Sequence, residues 1–357
     1  MLFNLALKLR DKGVEQEFLT LMPGGSLLSR FHEAGFSVGH IGMTQGVPSL
    51  GALLKIRRQI LQRSPDVIFG WLYHSCVAAG LAAPRGVPLV WGIHHALSKL
   101  SEEKLLTRLL IKAGPYLKRK VSHYVYVSRT SAQHHFAVGY PRQNAEVIPN
   151  GFDIDRFCRD ERLRAEVRTE LGIREDQIVF GSAARFNSNK NQVGLVEALG
   201  GLSAPSAVLL MVGREVDANN AELKRVIAAH GLKDRVILLG ERSDMTWLMN
   251  GMDVYVSASK WGESFPLVLG EAMATQVPCI STDLGDCRDI VGDTGQVVRP
   301  DDVSALREAM AAMCALTPEA RAELGRKARR RVEENYNLDR IADRYLEVCR
   351  EVARKRA

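Results

Sequence analysis

The hydrophobic positions of this chain fall into short runs that alternate with longer amphipathic stretches. Runs of three to six residues, many of them rich in valine and isoleucine, predict twelve strands. The predicted strands cover residues 17–21, 37–41, 67–69, 89–91, 123–127, 145–148, 178–183, 207–212, 236–239, 254–256, 278–281 and 295–298. Helical patterns separate most of them, as in residues 192–198, 220–229 and 303–316. This alternation predicts an α/β protein whose parallel sheets are covered by helices on both faces.

The predicted strands fall into two series, and a turn-forming segment separates them. Pro149 and the pair Asn150-Gly151 follow the last strand of the first series, and these residues favour turns. A chain of 357 residues is also longer than one ordinary core requires. We therefore expect two doubly wound domains, over residues 1–152 and 153–336. The remaining residues, about 337–357, predict a helix with a strongly basic end.

Composition narrows the class of protein. Hydrophobic residues make up 46% of the chain and charged residues 25%, which is typical of a globular protein. No window approaches about 18 uncharged apolar residues, and the N-terminus has no secretory pattern. The six cysteines are scattered without a CxxC pair, so neither a disulfide framework nor a metal site is expected. These features predict a cytoplasmic protein.

Positive charge is concentrated in the first part of the chain. Residues 1–150 carry 18 lysines and arginines against 8 acidic residues, whereas the remaining residues carry 30 against 33. Such an excess indicates an anionic partner, or else it belongs to an ordinary solvated surface. Residues 104–120 mix apolar and basic side chains as an interfacial segment does. The alternative for that segment is an amphipathic helix packed on the sheet.

Candidate chemistry lies where predicted strands end, because ligands of open α/β sheets bind beyond the carboxyl ends of the strands. Arg185 and Lys190 follow the strand at residues 178–183 and come just before a helix. A planar guanidinium, a mobile ammonium and the N–H groups of a helix start suit the oxygens of a diphosphate. The alternative is that both residues are solvated surface cations.

Two glutamates, Glu263 and Glu271, flank the start of another predicted helix, at residues 266–274. Pro266 suits the first turn of that helix, where its missing N–H costs nothing. The carboxylates cannot share one helical face, so we expect them to contact different parts of one long ligand. Carboxylates accept hydrogen bonds from vicinal hydroxyls, and a helix start between them suits a phosphate. A nucleotide-sugar fits this order; the alternative is one loop acid and one surface acid. The N–H groups that can face an anion are those of Ser264, Phe265 and Leu267.

Histidines and a further arginine form a second group of candidates. His94 follows a predicted strand, where it can hydrogen-bond a substrate hydroxyl or stabilise charge near a reacting carbon. His74 and His95 also lie near strand ends, with a structural role as the alternative for each. Arg242 follows another strand, where a nucleobase can lie against backbone groups. The pair His134-His135 lies in a helical pattern, and a metal site is not expected there.

Together these motifs resemble the retaining GT-B glycosyltransferases, in particular glycosyltransferase family 4. Glu263 and Glu271 match the E-x7-E motif of that family, and Arg185 and Lys190 match its Arg…Lys pair. The resemblance is dense over residues 145–300 and looser over residues 65–150. The family has a first strand and a Gly-Gly loop where this sequence opens on a helical pattern, so we expect both to be missing from it.

The resemblance implies a fold and a set of roles. The fold is GT-B, with two doubly wound Rossmann-like domains facing each other across a cleft. The first domain would bind the acceptor, with residues 337–357 packing back on it, and the second would bind the donor. Arg185 and Lys190 would hold the donor diphosphate, Glu263 the donor sugar and Glu271 the ribose. The implied catalytic residues are His94, Arg185, Lys190 and Glu263. The implied donor-binding residues are Arg185, Lys190, Arg242, Glu263, Ser264, Phe265, Pro266, Leu267 and Glu271.

The implied function is retaining transfer of a sugar from a UDP- or GDP-sugar to a hydroxyl of a glycan or lipid-linked acceptor. Such transfer would serve surface polysaccharide or glycolipid assembly. No metal or other cofactor is expected, because arginine and lysine supply the positive charge. No nucleic-acid partner is expected either. An anionic membrane surface on the cytoplasmic side would account for the basic first half.

Two other functions remain open for a chain of this pattern. A nucleotide-sugar epimerase shares the two-domain form, and a non-catalytic nucleotide-sugar binder would need only the binding residues. A glycosidase also uses paired carboxylates, but its chemistry needs neither the Arg/Lys pair nor a second doubly wound domain.

Overall fold

The computed structural model describes residues 1–44, 49–97, 100 and 103–355, and the chain divides into two compact units. The first unit comprises Met1–Gly151 and Leu338–Ala357, and the second comprises Phe152–Asn337. The first unit is therefore built from two separate stretches of sequence, whereas the second is continuous. All twelve predicted strands are present, each within two residues of its expected bounds, and every paired strand runs parallel to its neighbours.

The strands of the first unit form two parallel sheets. They are β1 (Glu17–Thr20), β2 (Ser37–His40), β3 (Ile68–Trp71), β4 (Leu89–Ile93), β5 (His123–Tyr126) and β6 (Ala145–Val147). β1 pairs with β2, and the other four pair in the order β3-β4-β5-β6. The strands expected for a doubly wound first domain are therefore all present, in two parallel ladders. In the described part of the chain, β1 and β3 exchange no ladder hydrogen bonds, although Leu19 and Ile68 reach one hydrophobic cluster.

Helices cover these sheets on both faces. They are α1 (Leu2–Asp11), α2 (Ser26–Glu33), α3 (Leu50–Arg63), α4 (Leu72–Ala82), α5 (Leu105–Ala113), α6 (Arg129–Ala137) and α15 (Leu338–Arg354). Trp91 and Tyr124 are register partners on β4 and β5, and both are buried in the cluster that includes Tyr73 of α4. On the opposite face, Val90 packs in a cluster with Tyr345 of α15. Since side chains alternate along a strand, the central strands bury both of their faces.

The second unit has one six-stranded parallel sheet between helices. Its strands are β7 (Ile178–Ala183), β8 (Ala207–Val212), β9 (Val236–Leu238), β10 (Val254–Ser257), β11 (Cys279–Thr282) and β12 (Gln296–Val298). Its helices are α7 (Glu161–Glu170), α8 (Gln192–Gly200), α9 (Ala221–Ala229), α10 (Met245–Asn250), α11 (Leu267–Ala274), α12 (Cys287–Val291), α13 (Val303–Ala315) and α14 (Pro318–Asn335). The strand order is β12-β11-β10-β7-β8-β9, so the sheet is doubly wound, with the reversal between β7 and β10. No helix in the described ranges is both long enough and apolar enough to cross a bilayer.

Candidate active site

The candidate residues of the second unit lie in loops that follow neighbouring strands. β7 pairs with β10, and β10 pairs with β11. Because these strands are parallel, their carboxyl ends lie along the same edge of the sheet. The loop after β7 carries Arg185 and Lys190, and the loop after β10 carries Glu263. The strand order thus places the expected diphosphate cations beside the expected sugar-binding carboxylate.

Polar side chains of the loop after β7 fix its backbone. The side chain of Asn187 accepts a hydrogen bond from the N–H of Asn189 at 3.2 Å and caps the 3₁₀ turn Ser188–Lys190. Gln192 donates from Nε2 to the carbonyl oxygen of Arg185 at 2.9 Å. The Arg185 side chain is exposed and has no hydrogen-bond or ion-pair partner among the residues the structure describes. Its guanidinium is therefore available to a ligand.

Two hydrogen bonds join the loop after β10 to the loop after β7. The N–H of Lys260 donates to the carbonyl oxygen of Asn189 at 2.7 Å, and Asn189 donates from Nδ2 to the carbonyl oxygen of Trp261 at 3.3 Å. Gly262 follows with φ +82°, a conformation that favours glycine. The two hydrogen bonds and the backbone conformation of Gly262 hold Glu263 next to Lys190.

Lys190 and Glu263 form an ion pair. The ammonium of Lys190 contacts Oε1 of Glu263, and the hydroxyl of Ser259 donates to the same oxygen at 2.7 Å. The side chains of Lys190 and Glu263 are 24% and 10% exposed, so solvent screens this pair less than an open surface pair. The structure therefore brings two of the predicted catalytic residues into direct contact.

α11 begins one residue later than the sequence predicts. Pro266 is the N-cap residue, with φ −69° and ψ 121°, and the helix proper starts at Leu267. The prediction that Pro266 lies in the first turn is wrong, because its backbone is still extended where the loop enters the helix. Phe265 turns into the core, with its ring centroid 6.0 Å from that of Phe152 and 5.4 Å from that of Tyr336.

The loop after β11 supports the segment that carries Glu263. Thr282 donates from Oγ1 to the carbonyl oxygen of Ser259 at 2.7 Å, and the N–H of Asp286 donates to the carbonyl oxygen of Ser264 at 3.0 Å. Gly285 has φ +55°, and a Cβ there would lie 2.4 Å from the Ser264 oxygen. Sequence reasoning missed Ser259 and Thr282. Their position at the carboxyl ends of neighbouring strands was the signal that could have found them.

Glu271 lies in the second turn of α11 and is partly buried. Burial raises the pKa of its carboxyl, and Arg156 opposes that shift. The pKa of Tyr255 is raised mainly by burial, and the charges of Glu263 and Glu271 both add to that rise. Both carboxylates therefore act on one phenol of β10. Gly270 allows α11 to lie close to Phe152, since a Cβ at Gly270 would meet that ring at 2.1 Å.

Arg242 is engaged by its own loop. Its Nε donates to Asp244 Oδ1 at 2.9 Å, and its guanidinium lies 5.7 Å from the ring centroid of Trp247. The carboxylate of Asp244 raises the pKa of Arg242 through this hydrogen bond. The structure does not bring Arg242 into hydrogen-bonding contact with Lys190 or Glu263.

His94 belongs to the first unit and follows β4. Its ring stacks on Trp71, with centroids 3.8 Å apart and planes 21° apart, and its Nε2 lies 3.5 Å from the hydroxyl of Tyr345. Burial lowers the pKa of His94 to about 3, the amino terminus of the chain acts in the same direction, and a hydrogen bond with Asn150 opposes the shift. The ring is therefore neutral near pH 7 and can donate or accept a hydrogen bond without carrying charge.

The other histidines have different surroundings. His95 Nε2 contacts Glu103 Oε1 at 2.6 Å. His135 is buried between the carbonyl oxygen of Ser131 and the hydroxyl of Tyr73, each 2.7 Å from a ring nitrogen, which is a structural role. His74 is partly buried and makes no hydrogen bond to a described residue. Across the described ranges no group of three His, Cys, Asp or Glu side chains is placed to hold a metal ion.

Family models match both parts of the chain. A model described as Glycosyltransferase Family 4 matches residues 1–156, and one described as Glycosyl transferases group 1 matches residues 164–331. These matches adjoin the boundary between the two units at residues 151 and 152.

Several curated proteins are similar in sequence. A lipopolysaccharide core biosynthesis mannosyltransferase, LpsB of Rhizobium meliloti, is 30% identical over 46% of this chain and 49% of its own length. N-acetyl-alpha-D-glucosaminyl L-malate synthase of Bacillus anthracis is 28% identical over 60% of this chain and 55% of its own. The chain thus spans about half the length of the curated relatives it matches.

Solved structures are similar over nearly the whole chain. Anabaena HepE in complex with UDP has a TM-score of 0.86 and 23% identity, covering 98% of this chain and 96% of that one. WaaG, a glycosyltransferase involved in lipopolysaccharide biosynthesis, has a TM-score of 0.64 and 17% identity, covering 92% and 98%.

Two parallel α/β units are the fold of the GT-B glycosyltransferases, and the two family models give the same class. The fold class predicted from sequence is thereby confirmed. Within that class, the chain belongs to glycosyltransferase family 4, group 1.

Proposed function

We propose that this protein is a retaining glycosyltransferase that moves a sugar from a nucleotide-diphosphate-sugar to a hydroxyl of a glycan or lipid-linked acceptor. The observation that carries the proposal is the contact of Lys190 with Glu263, with the unpaired guanidinium of Arg185 in the same loop as Lys190. A cation for phosphate and a carboxylate for hydroxyls stand next to each other, as a sugar and its diphosphate do in the donor.

Arg185 and Lys190 bind the donor diphosphate. Arg185 is free to form a bidentate contact with phosphate oxygens, whereas Lys190 supplies a mobile point charge. Lys190 must exchange its contact with Glu263 for the phosphate as the donor enters. Glu263 then accepts hydrogen bonds from the donor sugar. Glu271, in the second turn of α11, accepts hydrogen bonds from the ribose hydroxyls.

The reaction needs charge stabilisation more than covalent participation by the protein. The bond between the anomeric carbon and the phosphate oxygen breaks as the acceptor oxygen attacks the same face, through an oxocarbenium-like state. The acceptor proton passes to the departing phosphate oxygen, so a nucleoside diphosphate leaves and no redox partner is involved. Arg185 and Lys190 stabilise the charge that develops on this leaving group, so the step requires no metal.

Neutral His94 has a supporting role in the first unit. Its stacking on Trp71 and its contact with Tyr345 hold the ring in one orientation. A neutral imidazole can hydrogen-bond a sugar hydroxyl without repelling an oxocarbenium-like centre. We assign it to the sugar end of the reaction for that reason.

The names of relatives support the type of product. LpsB is described as a lipopolysaccharide core mannosyltransferase, and an Escherichia coli relative is described as a galactosyltransferase that uses a GlcNAc-diphosphoundecaprenol acceptor. HepE is solved with UDP and with UDP-glucose. We propose surface polysaccharide or glycolipid assembly as the process, with the acceptor delivered at a cytoplasmic membrane face.

Exposed leucines of the first unit support membrane association. α4 packs against both α3 and α5, and these helices expose a set of leucines that we term the leucine face. The leucine face consists of Leu50, Leu54, Leu61, Leu81, Leu105 and Leu109, each at least 46% exposed. Among large hydrophobic side chains exposed in the described residues, only Trp261 lies in the second unit. Basic residues Arg58, Lys112 and Lys118 are exposed on or next to α3 and α5, which suits an anionic lipid surface.

The experiment begins with nucleotide selection. UDP, GDP and ADP are compared by thermal shift, and the sugar nucleotides of the best base are then assayed with polyprenyl-diphosphate-linked sugars. A stabilising nucleoside diphosphate and an α-configured product from an α-configured donor are expected. Stabilisation without any transfer would indicate a nucleotide-sugar binder, and transfer with inverted configuration would overturn the retaining mechanism.

A further inference from the structure

We propose that Ser259 and Thr282 are positioning residues for Glu263. They form a buried hydroxyl relay that commits one carboxylate oxygen to the protein and reserves the other for the donor sugar. This inference rests on the function proposed above, because it assigns the reserved oxygen to a sugar hydroxyl.

The first link of the relay is the hydrogen bond from Ser259 to Glu263. Ser259 is 2% exposed, and its hydroxyl donates to Oε1 of Glu263 at 2.7 Å. Lys190 contacts the same oxygen. No described residue donates a hydrogen bond to Oε2. Because a carboxylate offers about four lone-pair sites, the remaining acceptor capacity is concentrated on Oε2.

The second link anchors Ser259 to the sheet. Thr282 is 3% exposed and donates from Oγ1 to the carbonyl oxygen of Ser259 at 2.7 Å. Thr282 is the last residue of β11 and pairs in register with Val298 of β12. The position of Ser259 is therefore set by a strand inside the sheet and not by the loop alone.

The other end of the segment is fixed separately. Asp286 donates from its N–H to the carbonyl oxygen of Ser264, and Gly285 approaches that oxygen more closely than any side-chain-bearing residue allows. With both ends held, the carboxylate of Glu263 has one main degree of freedom, rotation about its side-chain bonds. The Ser259 hydroxyl restricts that rotation. Charge-assisted O–H···O⁻ bonds of this length are among the stronger hydrogen bonds in proteins.

A positioning role and a structural role predict different effects on ligand affinity. Loss of a positioning residue should weaken binding of the sugar nucleotide but not of the nucleotide alone. The Ser259→Ala variant should leave the affinity for UDP within about twofold, because Arg185 and Lys190 bind the diphosphate. It should weaken UDP-glucose about tenfold and lower kcat more than it raises KM, because Glu263 can rotate away from the sugar. If the nucleotide screen selects guanine, GDP and GDP-mannose replace these ligands. Calorimetry and initial-rate kinetics give the two readouts.

Matched variants separate the hydroxyl from its bulk. Thr282→Val keeps the shape of the side chain and should reproduce part of the loss in UDP-glucose affinity. Thr282→Ser keeps the hydroxyl and should bind UDP-glucose as the wild-type protein does. Thr294→Val is the control, since Thr294 is 4% exposed and also donates to a carbonyl oxygen at 2.7 Å, but makes no contact with Ser259 or Glu263. In a Glu263→Gln background, Ser259→Ala should add little, because the two changes act on one interaction.

The outcomes distinguish this inference from the proposed function. Equal loss of UDP and UDP-glucose affinity in Ser259→Ala, with the thermal destabilisation seen for Thr294→Val, would reduce the relay to a structural role. If the wild-type protein binds none of these nucleotides, the proposed function fails. A crystal structure of Ser259→Ala then decides the relay: Glu263 displaced from Lys190 supports it, and an unmoved carboxylate overturns it.

Discussion

Lys190 illustrates how one residue can serve two partners in turn. It contacts Glu263 in the structure, and we propose that it contacts the diphosphate when the donor is bound. Replacement of either Lys190 or Arg185 by alanine should lower turnover by two to three orders of magnitude, because charge stabilisation of a leaving group is worth about 2.7–4 kcal/mol. Turnover is measured with the selected donor under saturation. Lys260→Ala is the control, since that ammonium pairs with Asp301 at 2.6 Å, and retained activity in Lys190→Ala would contradict the assignment.

Glu271 predicts a pH dependence of nucleotide affinity. Burial raises the pKa of its carboxyl, so protonation begins at a higher pH than for an exposed glutamate. Affinity for the nucleoside diphosphate should therefore fall as pH is lowered towards that raised pKa. Glu271→Gln should bind about ten- to 150-fold more weakly at neutral pH, as expected for loss of a charged hydrogen bond of about 1.5–3 kcal/mol. Its affinity should vary less with pH, and titrations at several pH values that give parallel curves for both proteins would exclude a ribose role.

His94 predicts a pH dependence of stability. Its folded pKa of about 3 lies below the ordinary value of about 6.5, so the unfolded chain binds more protons between these values. Stability should be fully present above pH 6.5 and should decrease as pH falls through this window. His94→Asn should make the decrease in Tm between pH 7 and 5 shallower. Unchanged slopes in scanning calorimetry would show that the ring takes up protons equally in the folded and unfolded states, against a lowered pKa.

At the scale of elements, α11 depends on a glycine for its position. A Cβ at Gly270 would lie 2.1 Å from the Phe152 ring, so Gly270→Ala forces α11 or the ring to move. We expect a loss of about 1–3 kcal/mol in the free energy of unfolding, typical of overpacking. Gly51→Ala in α3 is the matched control, because its Cβ would meet only the Ser49 side chain at 3.9 Å. That change should be neutral or stabilising by up to about 1 kcal/mol, and equal Tm values for both variants would refute the packing argument.

The strands and helices could be predicted from local pattern, whereas their pairing could not. Short hydrophobic runs, many of them rich in valine and isoleucine, identified every strand, and Pro115 limits α5 to Ala113 as its ring requires. Whether β1 pairs with β3 is decided between residues about 50 positions apart in the sequence. The periodicity of each strand carries no information about that pairing.

The candidate site divides in the same way. The spacing of Glu263 and Glu271, and that of Arg185 and Lys190, can be read directly from the amino-acid sequence. The role of the Ser259 and Thr282 hydroxyls cannot be read in this way, because it arises only when β10 and β11 lie side by side. The partner of Arg242 was missed although it is two residues away, since the sequence alone did not show that Asp244 would turn towards it.

At the scale of the whole molecule, the leucine face predicts membrane binding. Co-sedimentation with vesicles should require anionic lipid and should weaken as salt rises, because the basic side chains act through screened electrostatics. The double variant Leu54→Ser, Leu61→Ser should reduce the bound fraction severalfold without changing Tm, since both side chains are more than half exposed. Trp261→Ser, on the second unit, serves as the control. Binding that ignores lipid charge, salt and both leucines would end this proposal.

α15 belongs to the first unit although it follows the second unit in sequence, and this affects how the two units can be produced separately. Lys8 of α1 and Lys12 just after it pair with Asp339 and Asp343 of α15, so two ion pairs join these helices. A Cβ built on Gly151 would lie 2.7 Å from the Leu338 Cα, and Phe152 is hydrogen-bonded to Tyr336 at 2.8 Å. The second unit, Phe152–Asn337, is thus inserted into the first, and its first and last residues lie close together. The second unit can be expressed as one contiguous piece, whereas the first needs both of its stretches, joined by a short linker between Gly151 and Leu338.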